Sequence, residues 1–325
     1  MKLRIHADLI LSPEHLEMLR EGTRGHELIL PSKPVASVLS KAERDPQFAT
    51  ADVSFGQPDL AAIDEAKDLK WIHVSSSGIT RYDTPEFRTK MKARGIPVTN
   101  SAAVYQEACA THVFSFLLAQ ARNLPLGLKT RTPNGTVLWH QMRGASVPLA
   151  GQTVLILGFG SIAKRLVEML RPLNMNILAY RRRARGDEGV PVITEAALAE
   201  TLATQADHVI NILPDSVETR LFFDESRFAE MKEGAVFYNI GRGTTVDQGA
   251  LRDVLHSGRV AAAWLDVTDP EPLSDAHPLW QEPNCHITPH LAGGHRNETG
   301  TLVRHFLGNL QRFANGEPLV DQVMP

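Results

Sequence analysis

Short apolar runs alternate with helical patterns along the chain. In the first hundred residues, apolar and β-branched runs predict strands at 3–5, 27–30, 53–55, 71–74 and 97–99. Helical patterns lie between them, at 13–21, 60–67 and 84–94. Strands that alternate with helices in this way indicate a parallel α/β sheet.

A second α/β series begins after residue 150. Its predicted strands cover 154–157, 176–180, 208–213, 235–240, 261–265 and 286–288. Asp247 is a suitable N-cap for a helix over 248–256, and Gly258 is a suitable stop. A final helix is predicted at 298–314.

Two further segments lie between the series. The broadly apolar pattern over 104–122 predicts a buried helix. The segment 130–149 is rich in Gly, Pro and Arg and weakly periodic, and it is predicted to be an exposed arm or loop.

The turn that follows the apolar run 154–157 is the most specific local signal. It comprises Gly158, Phe159, Gly160, Ser161 and Ile162. Gly158 permits a tight turn, Gly160 permits close approach of a phosphate, and the helix that follows presents unpaired N–H groups to the anion. Ala163 is small enough for the third glycine position. The strand before and the helix after favour a dinucleotide site over an ordinary strand–turn–helix corner.

Arg181 and Arg182 follow the predicted strand 176–180, where a dinucleotide presents its adenosine ribose. An acid there would accept hydrogen bonds from the ribose of NAD, whereas guanidinium groups suit a 2′-phosphate. NADP(H) is therefore favoured, and NAD(H) remains possible. Asp187 and Glu188 lie further along the same loop and could fold back onto these arginines.

Three later strands end in polar segments, and the carboxyl ends of parallel strands share one edge of a sheet. The segments place Arg242, Glu271 and His290 at that edge. An imidazole can move a proton near neutral pH, and a neighbouring carboxylate favours its charged form. A guanidinium can bind a substrate carboxylate through two parallel hydrogen bonds.

Composition and charge mainly exclude classes of protein. The chain has 325 residues, enough for two domains, and its net charge of −3 argues against binding nucleic acid or a membrane surface. Two cysteines exclude a disulfide framework. No signal-peptide pattern and no apolar stretch long enough to span a membrane is apparent, so a cytoplasmic protein is expected.

A metal site is a weaker alternative. Cys285, His286, His290 and His295 are close in sequence. Alternation along a strand would send Cys285 and His286 to opposite faces, so we expect both to pack as strand residues and no metal to bind.

The chain resembles the D-isomer-specific 2-hydroxyacid dehydrogenase family, which includes glyoxylate/hydroxypyruvate reductases. The resemblance extends over nearly the whole chain and is strongest at 157–163, 239–251, 265–273 and 288–290. It implies a Rossmann-type, doubly wound parallel cofactor domain inserted into a smaller flavodoxin-like α/β substrate domain. The substrate domain would comprise 1–100 plus 295–325, and the dinucleotide-binding domain would comprise 101–294. Hinges are expected near 100–110 and 293–301.

Family relatives form dimers through an arm, here expected around 123–150, so a homodimer is expected. Trp139 lies in this arm and either anchors the dimer or reaches the neighbouring active site.

The same resemblance implies roles for individual residues. Arg242 would bind the substrate, Glu271 would partner the histidine, and His290 would be the acid/base. The implied cofactor contacts, besides the glycine turn and the arginines, are Asp266 and Ile240 near the carboxamide, Leu213 and Pro214 beside the adenine, and Gly293. Backbone N–H groups of the loop that contains Ser76, Ser77 and Gly78 would bind the substrate carboxylate, as suits an anion.

The chain departs from the family pattern at two places. Where the family often has Asn-x-x-Gly-x-Asn, this chain runs from Asn100 to Tyr105 without the glycine or the second asparagine. The acid of the family's acid–histidine pair is replaced in Thr111-His112. Tyr105 points to an altered pocket or hinge.

The predicted function is hydride transfer between NADP(H) and a small 2-oxo or 2-hydroxy acid, D-isomer specific and of the glyoxylate/hydroxypyruvate type. One alternative is a non-catalytic NAD(P)-binding sensor or corepressor, which would not need the arginine, glutamate and histidine. Another is a formate- or phosphite-type dehydrogenase, for which NAD would be the expected acceptor.

Overall fold

A computed structural model of the chain describes residues 2–34 and 44–325. The chain divides into two units. The first consists of Met1–Tyr105 with Gly294–Pro325, and the second is Gln106–Gly293. Each unit contains its own, mainly parallel sheet with helices in the connections, so the predicted α/β class is confirmed.

The first unit begins with β1 (Arg4–Asp8), α1 (Pro13–Gly22), β2 (Glu27–Ile29), β3 (Val53–Gly56), α2 (Leu60–Glu65), β4 (Trp71–Val74), α3 (Pro85–Arg94) and β5 (Val98–Thr99). Helix α4 (Ala102–Ala121) contains the boundary between the units and is followed by α5 (Leu124–Lys129) and α6 (Val137–Gly144). The second unit continues with β6 (Thr153–Leu157), α7 (Ser161–Leu170), β7 (Asn176–Tyr180), β8 (Val192–Ile193), α8 (Glu195–Thr204), β9 (His208–Asn211), α9 (Glu225–Glu230), β10 (Ala235–Asn239), α10 (Gln248–His256), β11 (Val260–Leu265) and β12 (Cys285–Ile287). The chain ends with α11 (Glu298–Asn315) and β13 (Gln322–Met324), which belong to the first unit.

The sheet of the first unit has the order β13-β5-β4-β3-β1-β2 among the described residues. Its pairs are parallel except that of β13 with β5. Helix α11 covers one face, where Phe306 stacks on Phe55 and Trp71 with ring centroids 4.3 and 5.2 Å apart. Such aromatic packing stabilises the sheet from which the loop after β4 emerges.

The sheet of the second unit, whose residues are all described, has the order β12-β11-β10-β9-β6-β7-β8 and is parallel throughout. Apolar strands such as β6 and β10 are buried along nearly their whole length, which explains their continuous hydrophobic runs. The chain leaves β6 toward β7 in one direction and returns to place β9 on the opposite side. The carboxyl ends of the neighbouring strands β6 and β9 therefore form a topological switch point, where open α/β sheets bind ligands.

Local predictions are confirmed where capping chemistry is explicit. Asp247 accepts hydrogen bonds from the amides of Gly249 and Ala250 and starts α10 at Gln248. Gly258 has φ +74°, as a stop after the helix requires. Cys285 and His286 lie in β12, as expected of strand residues.

Other elements were not predicted. The segment 130–149, predicted to be an exposed arm or loop, contains the helix α6, which has no buried residue and begins after Thr136 accepts a hydrogen bond from the amide of Trp139. No sequence pattern predicted β8 and β13, which have two and three residues. In the described part of the chain, no helix combines the length and the apolar character needed to cross a membrane.

Candidate active site

The turn after β6 has the backbone that the glycine pattern demands. Gly158 has φ +90°, and a Cβ atom there would lie 2.8 Å from the carbonyl oxygen of Ile212, so only glycine fits. Gly160 differs, because a Cβ there would meet no atom within 4 Å in the described part of the chain. The protein's own packing therefore leaves the space beside Gly160 open to a ligand.

Helix α7 begins directly after this turn. Gly160 is its N-cap, and no side chain of the described residues caps the first turn, so the leading N–H groups are available to an anion. Ala163 is fully buried and lets α7 pack closely against the sheet. These features fit the pyrophosphate of a dinucleotide.

The loop after β7 carries the arginines predicted to select the cofactor. The guanidinium Nη1 of Arg181 donates to Glu188 Oε1 at 2.7 Å, and Asp187 pairs with Lys164 of α7 at 2.6 Å. Both acids of this loop are thus folded back onto cations. Arg182 is exposed, and no ion pair within 4 Å involves it among residues 2–34 and 44–325.

Arg242 lies in the tight connection after β10. A Cβ at residue 243 would overlap the carbonyl oxygen of Thr268, so only glycine fits at this position. The carbonyl oxygen of Arg242 accepts hydrogen bonds from Asn239 and Thr245, which fixes its backbone. The guanidinium Nη1 donates to the carbonyl oxygen of Gly241 at 2.6 Å. The Nε and Nη2 atoms form no hydrogen bond with a described residue, so they can donate to a ligand.

Glu271 connects the loop after β11 to the histidine. Its Oε1 accepts the N–H of Thr268 at 3.0 Å, and its Oε2 lies 2.9 Å from Nδ1 of His290. Burial raises the pKa of Glu271, but the hydrogen bonds from His290 and Thr268 and the charge of Arg242 lower it by more. The net pKa is below the ordinary value, so the carboxylate is ionised at neutral pH.

His290 adopts a backbone conformation that is unusual for a histidine. Its φ is +50°, and its N–H donates to the carbonyl oxygen of Asp266 at 2.9 Å. The contact of Nδ1 with Glu271 leaves Nε2 as the atom that can exchange a proton with a substrate. About a quarter of the side chain, 26 %, is exposed, so the ring is held yet accessible.

Asp266 stabilises the backbone conformation of His290 through hydrogen bonds to the residues on either side of it. Its buried carboxylate accepts the hydroxyl of Thr288 at 2.6 Å and the amides of Leu291 and Ala292 at 2.8 Å each. These bonds hold the chain on both sides of His290 and offset the cost of its positive φ. The structure therefore shows Asp266 supporting the histidine loop, and its predicted contact with a carboxamide stays a prediction.

The other predicted cofactor residues also lie at the carboxyl edge of this sheet. Ile240 is buried, and its N–H donates to the carbonyl oxygen of Asn211. Leu213 is buried and Pro214 is exposed in the connection after β9. Gly293 is half-buried at the end of the second unit.

The predicted substrate loop belongs to the first unit and is held by polar side chains around it. Gln57 Nε2 donates to the hydroxyls of Ser75 and Ser76 at 3.1 and 3.0 Å. Asn100 donates to the carbonyl oxygen of Ser77, and the Ser76 hydroxyl donates to that of Gly78, each at 2.6 Å. These bonds fix the shape of the loop.

Comparisons with known proteins show the family of the chain. A model of the family described as "D-isomer specific 2-hydroxyacid dehydrogenase, NAD binding domain" matches residues 114–292. The chain belongs to this family. It is accordingly a nicotinamide-dependent 2-hydroxyacid dehydrogenase, and the resemblance inferred from the sequence is confirmed.

Two relatives of this dehydrogenase have named activities. A human glyoxylate reductase/hydroxypyruvate reductase is 32% identical over 257 residues, which cover 79% of this chain and 77% of the relative. A glyoxylate reductase from Aeropyrum pernix is 32% identical over 291 residues, which cover 87% and 84%.

Solved structures show the same fold. A protein from Thermus thermophilus is 27% identical, with a TM-score of 0.75 over 99% of this chain and 100% of that chain. An NADPH-dependent glyoxylate/hydroxypyruvate reductase from Sinorhizobium meliloti, in complex with NADP and sulfate, is 24% identical, with a TM-score of 0.77 over 99% and 98%.

Sequence reasoning missed several residues that support the site of this dehydrogenase. Thr288 and His112 both approach Asp266, since His112 Nε2 lies 3.2 Å from the Thr288 hydroxyl and 3.4 Å from Asp266 Oδ1. Strand register was a usable signal: Leu265 pairs with Ile287, so the next residues, Asp266 and Thr288, are neighbours. No comparable signal pointed to Gln57.

Proposed function

We propose that the chain reduces a small 2-oxo acid of the glyoxylate or hydroxypyruvate type to the D-2-hydroxy acid, with NADP(H) as the favoured cofactor. The observation that carries the proposal is the contact of His290 with Glu271, with Arg242 close enough for its charge to lower the pKa of that carboxyl. Relatives 32% identical to this chain are named for these activities.

The residues divide the chemistry between them. Bound NADPH supplies the hydride that reaches C2 of the substrate. Protonated His290 donates a proton from Nε2 to the carbonyl oxygen, while Glu271 binds Nδ1 and holds the ring in place. Arg242 binds the substrate carboxylate and polarises the carbonyl. In the reverse direction, neutral His290 takes the proton from the hydroxyl.

The same proposal assigns one role to each of the two units. The second unit is the cofactor domain and the first is the substrate domain, in which Ser76, Ser77 and Gly78 contribute backbone N–H groups for the carboxylate. The cytoplasmic location stays a prediction from the sequence.

The proposed cofactor preference rests on the basic loop after β7, which contains Arg181, Arg182 and Arg183. Arg181 stands where an acid would be expected for NAD, and it is followed by exposed arginines. We expect Arg181→Asp to lower kcat/KM for NADPH relative to NADH by about tenfold, because the new carboxylate repels a 2′-phosphate. Steady-state kinetics with both cofactors measure the ratio, and an unchanged ratio would place the selection on another residue.

A panel of 2-oxo acids tests the proposed function. Glyoxylate, hydroxypyruvate, pyruvate and larger 2-oxo acids are each supplied with NADPH and with NADH, and oxidation of the cofactor is followed by absorbance. We expect the highest kcat/KM with glyoxylate or hydroxypyruvate and NADPH. Cofactor binding without turnover of any acid would instead favour a sensor, and NAD-linked oxidation of formate or phosphite would favour that type of dehydrogenase.

A homodimer is part of the proposal and rests on the arm. Leu128 and Val137 are exposed by 83% and 75%, and Leu138 and Val147 are also exposed. Because exposed apolar patches of this kind mark interfaces, we expect the chain to sediment as a dimer and Leu128→Glu with Val137→Glu to yield monomer. Ile10→Glu, at an exposed apolar residue of the first unit, is the matched control and should leave the dimer intact. A monomeric wild-type chain would contradict the proposal.

A further inference from the structure

The loop between β7 and β8 is closed on one buried carboxylate. Glu188 Oε1 accepts Nη1 of Arg181 and the amide of Arg185, both at 2.7 Å, and Oε2 accepts the amide of Gly186 at 2.9 Å. Only 3% of the Glu188 side chain is exposed. The amide of Arg185, the side chain of Arg181 and the amide of Gly186 lower the pKa of Glu188 to about 2, so the group is charged at any assay pH.

This carboxylate lies beside the end of β7, where a dinucleotide bound at the glycine turn would present its adenosine ribose. Tyr180, the last residue of β7, pairs with Leu157 of β6, and the N–H of Gly158 donates to its carbonyl oxygen at 3.0 Å. Arg181 and its partner Glu188 are therefore next to the glycine turn. The first turns of α7 approach the same loop, since Lys164 pairs with Asp187.

The pairing changes what Arg181 can offer to a 2′-phosphate. A free guanidinium would present a full positive charge to a group that carries nearly two negative charges. With Glu188 at 2.7 Å the pair has no net charge, and the carboxylate itself repels a phosphate. Arg182 and Arg183 are exposed, and no ion pair within 4 Å joins either of them to another described residue. They carry the positive charge that remains.

We propose that Glu188 is a specificity-determining residue that limits the preference for NADP(H) over NAD(H) by neutralising Arg181. The inference rests on the proposed function in one respect, namely that a nicotinamide dinucleotide binds at the glycine turn. The loop then discriminates only moderately between the two cofactors, because the negative charge of Glu188 offsets part of the positive charge of the arginines around it.

Glu188→Gln tests the sign of this effect. The substitution keeps the shape of the side chain and removes its charge. Dissociation constants of NADPH and NADH are measured for the full-length protein by cofactor fluorescence at fixed ionic strength. We expect NADPH to bind about fivefold more tightly relative to NADH, the size of one charge interaction at a partly exposed site. Asp187→Asn is the matched control, because Asp187 is the neighbouring, more exposed acid, which lies 2.6 Å from Lys164 but 3.7 Å from Arg181, so its effect on the ratio should be smaller.

A second pair of variants keeps the test decisive if Glu188→Gln does not fold. Arg181→Ala leaves the buried carboxylate of Glu188 without the guanidinium that neutralises it and should weaken NADPH binding relative to NADH. Arg181→Ala combined with Glu188→Ala removes a neutral pair, and its ratio of affinities should stay within about twofold of wild type. A merely structural role of Glu188 would weaken both cofactors together.

Either of two results overturns the inference. One is an unchanged or lower NADPH preference in Glu188→Gln, which would mean that Glu188 orients Arg181 toward the phosphate. The other is a double variant that loses NADPH as strongly as Arg181→Ala alone. Binding is measured without turnover, so a protein that shows the expected ratios but reduces no 2-oxo acid would contradict only the proposed function.

Discussion

Replacing His290 with glutamine is expected to lower kcat for 2-oxo acid reduction by about 10²–10⁴-fold, the range that a positioned acid contributes. Glutamine can occupy the space of the ring and hydrogen-bond with Glu271, but it cannot donate a proton to the developing alkoxide. The substitution leaves the glycine turn and the start of α7 untouched. Binding of NADPH should therefore stay within about twofold of wild type.

Steady-state kinetics with glyoxylate and fluorescence titration with NADPH measure the two quantities separately. His256→Gln is the control, because His256 is an exposed histidine at the end of α10 in the same unit. It should leave kcat nearly unchanged. A His290→Gln protein with wild-type kcat would remove the histidine from the chemistry and would leave the proposed mechanism without its acid.

The sequence predicted that His290 and Glu271 lie together from strand ends that share an edge, and the family resemblance implied the same pair. That reasoning succeeds because a parallel sheet brings the carboxyl ends of β11 and β12 together whatever the loops do. The shared edge could not predict the positive φ of His290, or that Asp266 accepts the amides of Leu291 and Ala292, which follow the histidine. Both depend on bonds between residues about 25 positions apart, which leave no local pattern.

Capped and buried elements were the most predictable parts of the fold. Strand β7 was predicted with the bounds that the structure shows, and α10 was located by the single carboxylate of Asp247. Helix α6 escaped because its apolar residues, such as Val137, are exposed and show no buried stripe. Strand β13 exists through its pairing with β5 in a distant part of the chain, so three residues of sequence could not reveal it.

The loop after β7 shows the same limit at the candidate site. The sequence placed Arg181 at the end of β7, where its contact with a ribose substituent stays a prediction, and it raised the possibility that Asp187 or Glu188 folds back. Composition could not decide between an open basic loop and one closed on an ion pair. That choice depends on the amides of Arg185 and Gly186, which bind Glu188 and give its carboxylate a buried place next to Arg181.

Substitution of Arg242 is expected to have the other large effect. Arg242→Gln should lower kcat/KM for the 2-oxo acid by about 10²–10³-fold, the loss that follows removal of one donor to a developing negative charge. Arg242→Lys keeps the charge but loses the planar fork that matches a carboxylate, so it should recover only part of that loss. The backbone of residue 242 is held by Asn239 and Thr245, so neither variant should disturb the loop itself.

The split between kcat and KM identifies what Arg242 does. If it both binds the carboxylate and polarises the carbonyl, KM for the acid rises and kcat falls in Arg242→Gln, while the dissociation constant of NADPH is unchanged. Arg304→Gln, at an exposed arginine of α11 that bonds only within its helix among the described residues, is the control. Full activity in Arg242→Lys would show that a positive charge alone suffices. Full activity in Arg242→Gln would contradict the role of Arg242 and, with it, the use of this edge of the sheet for 2-oxo acids.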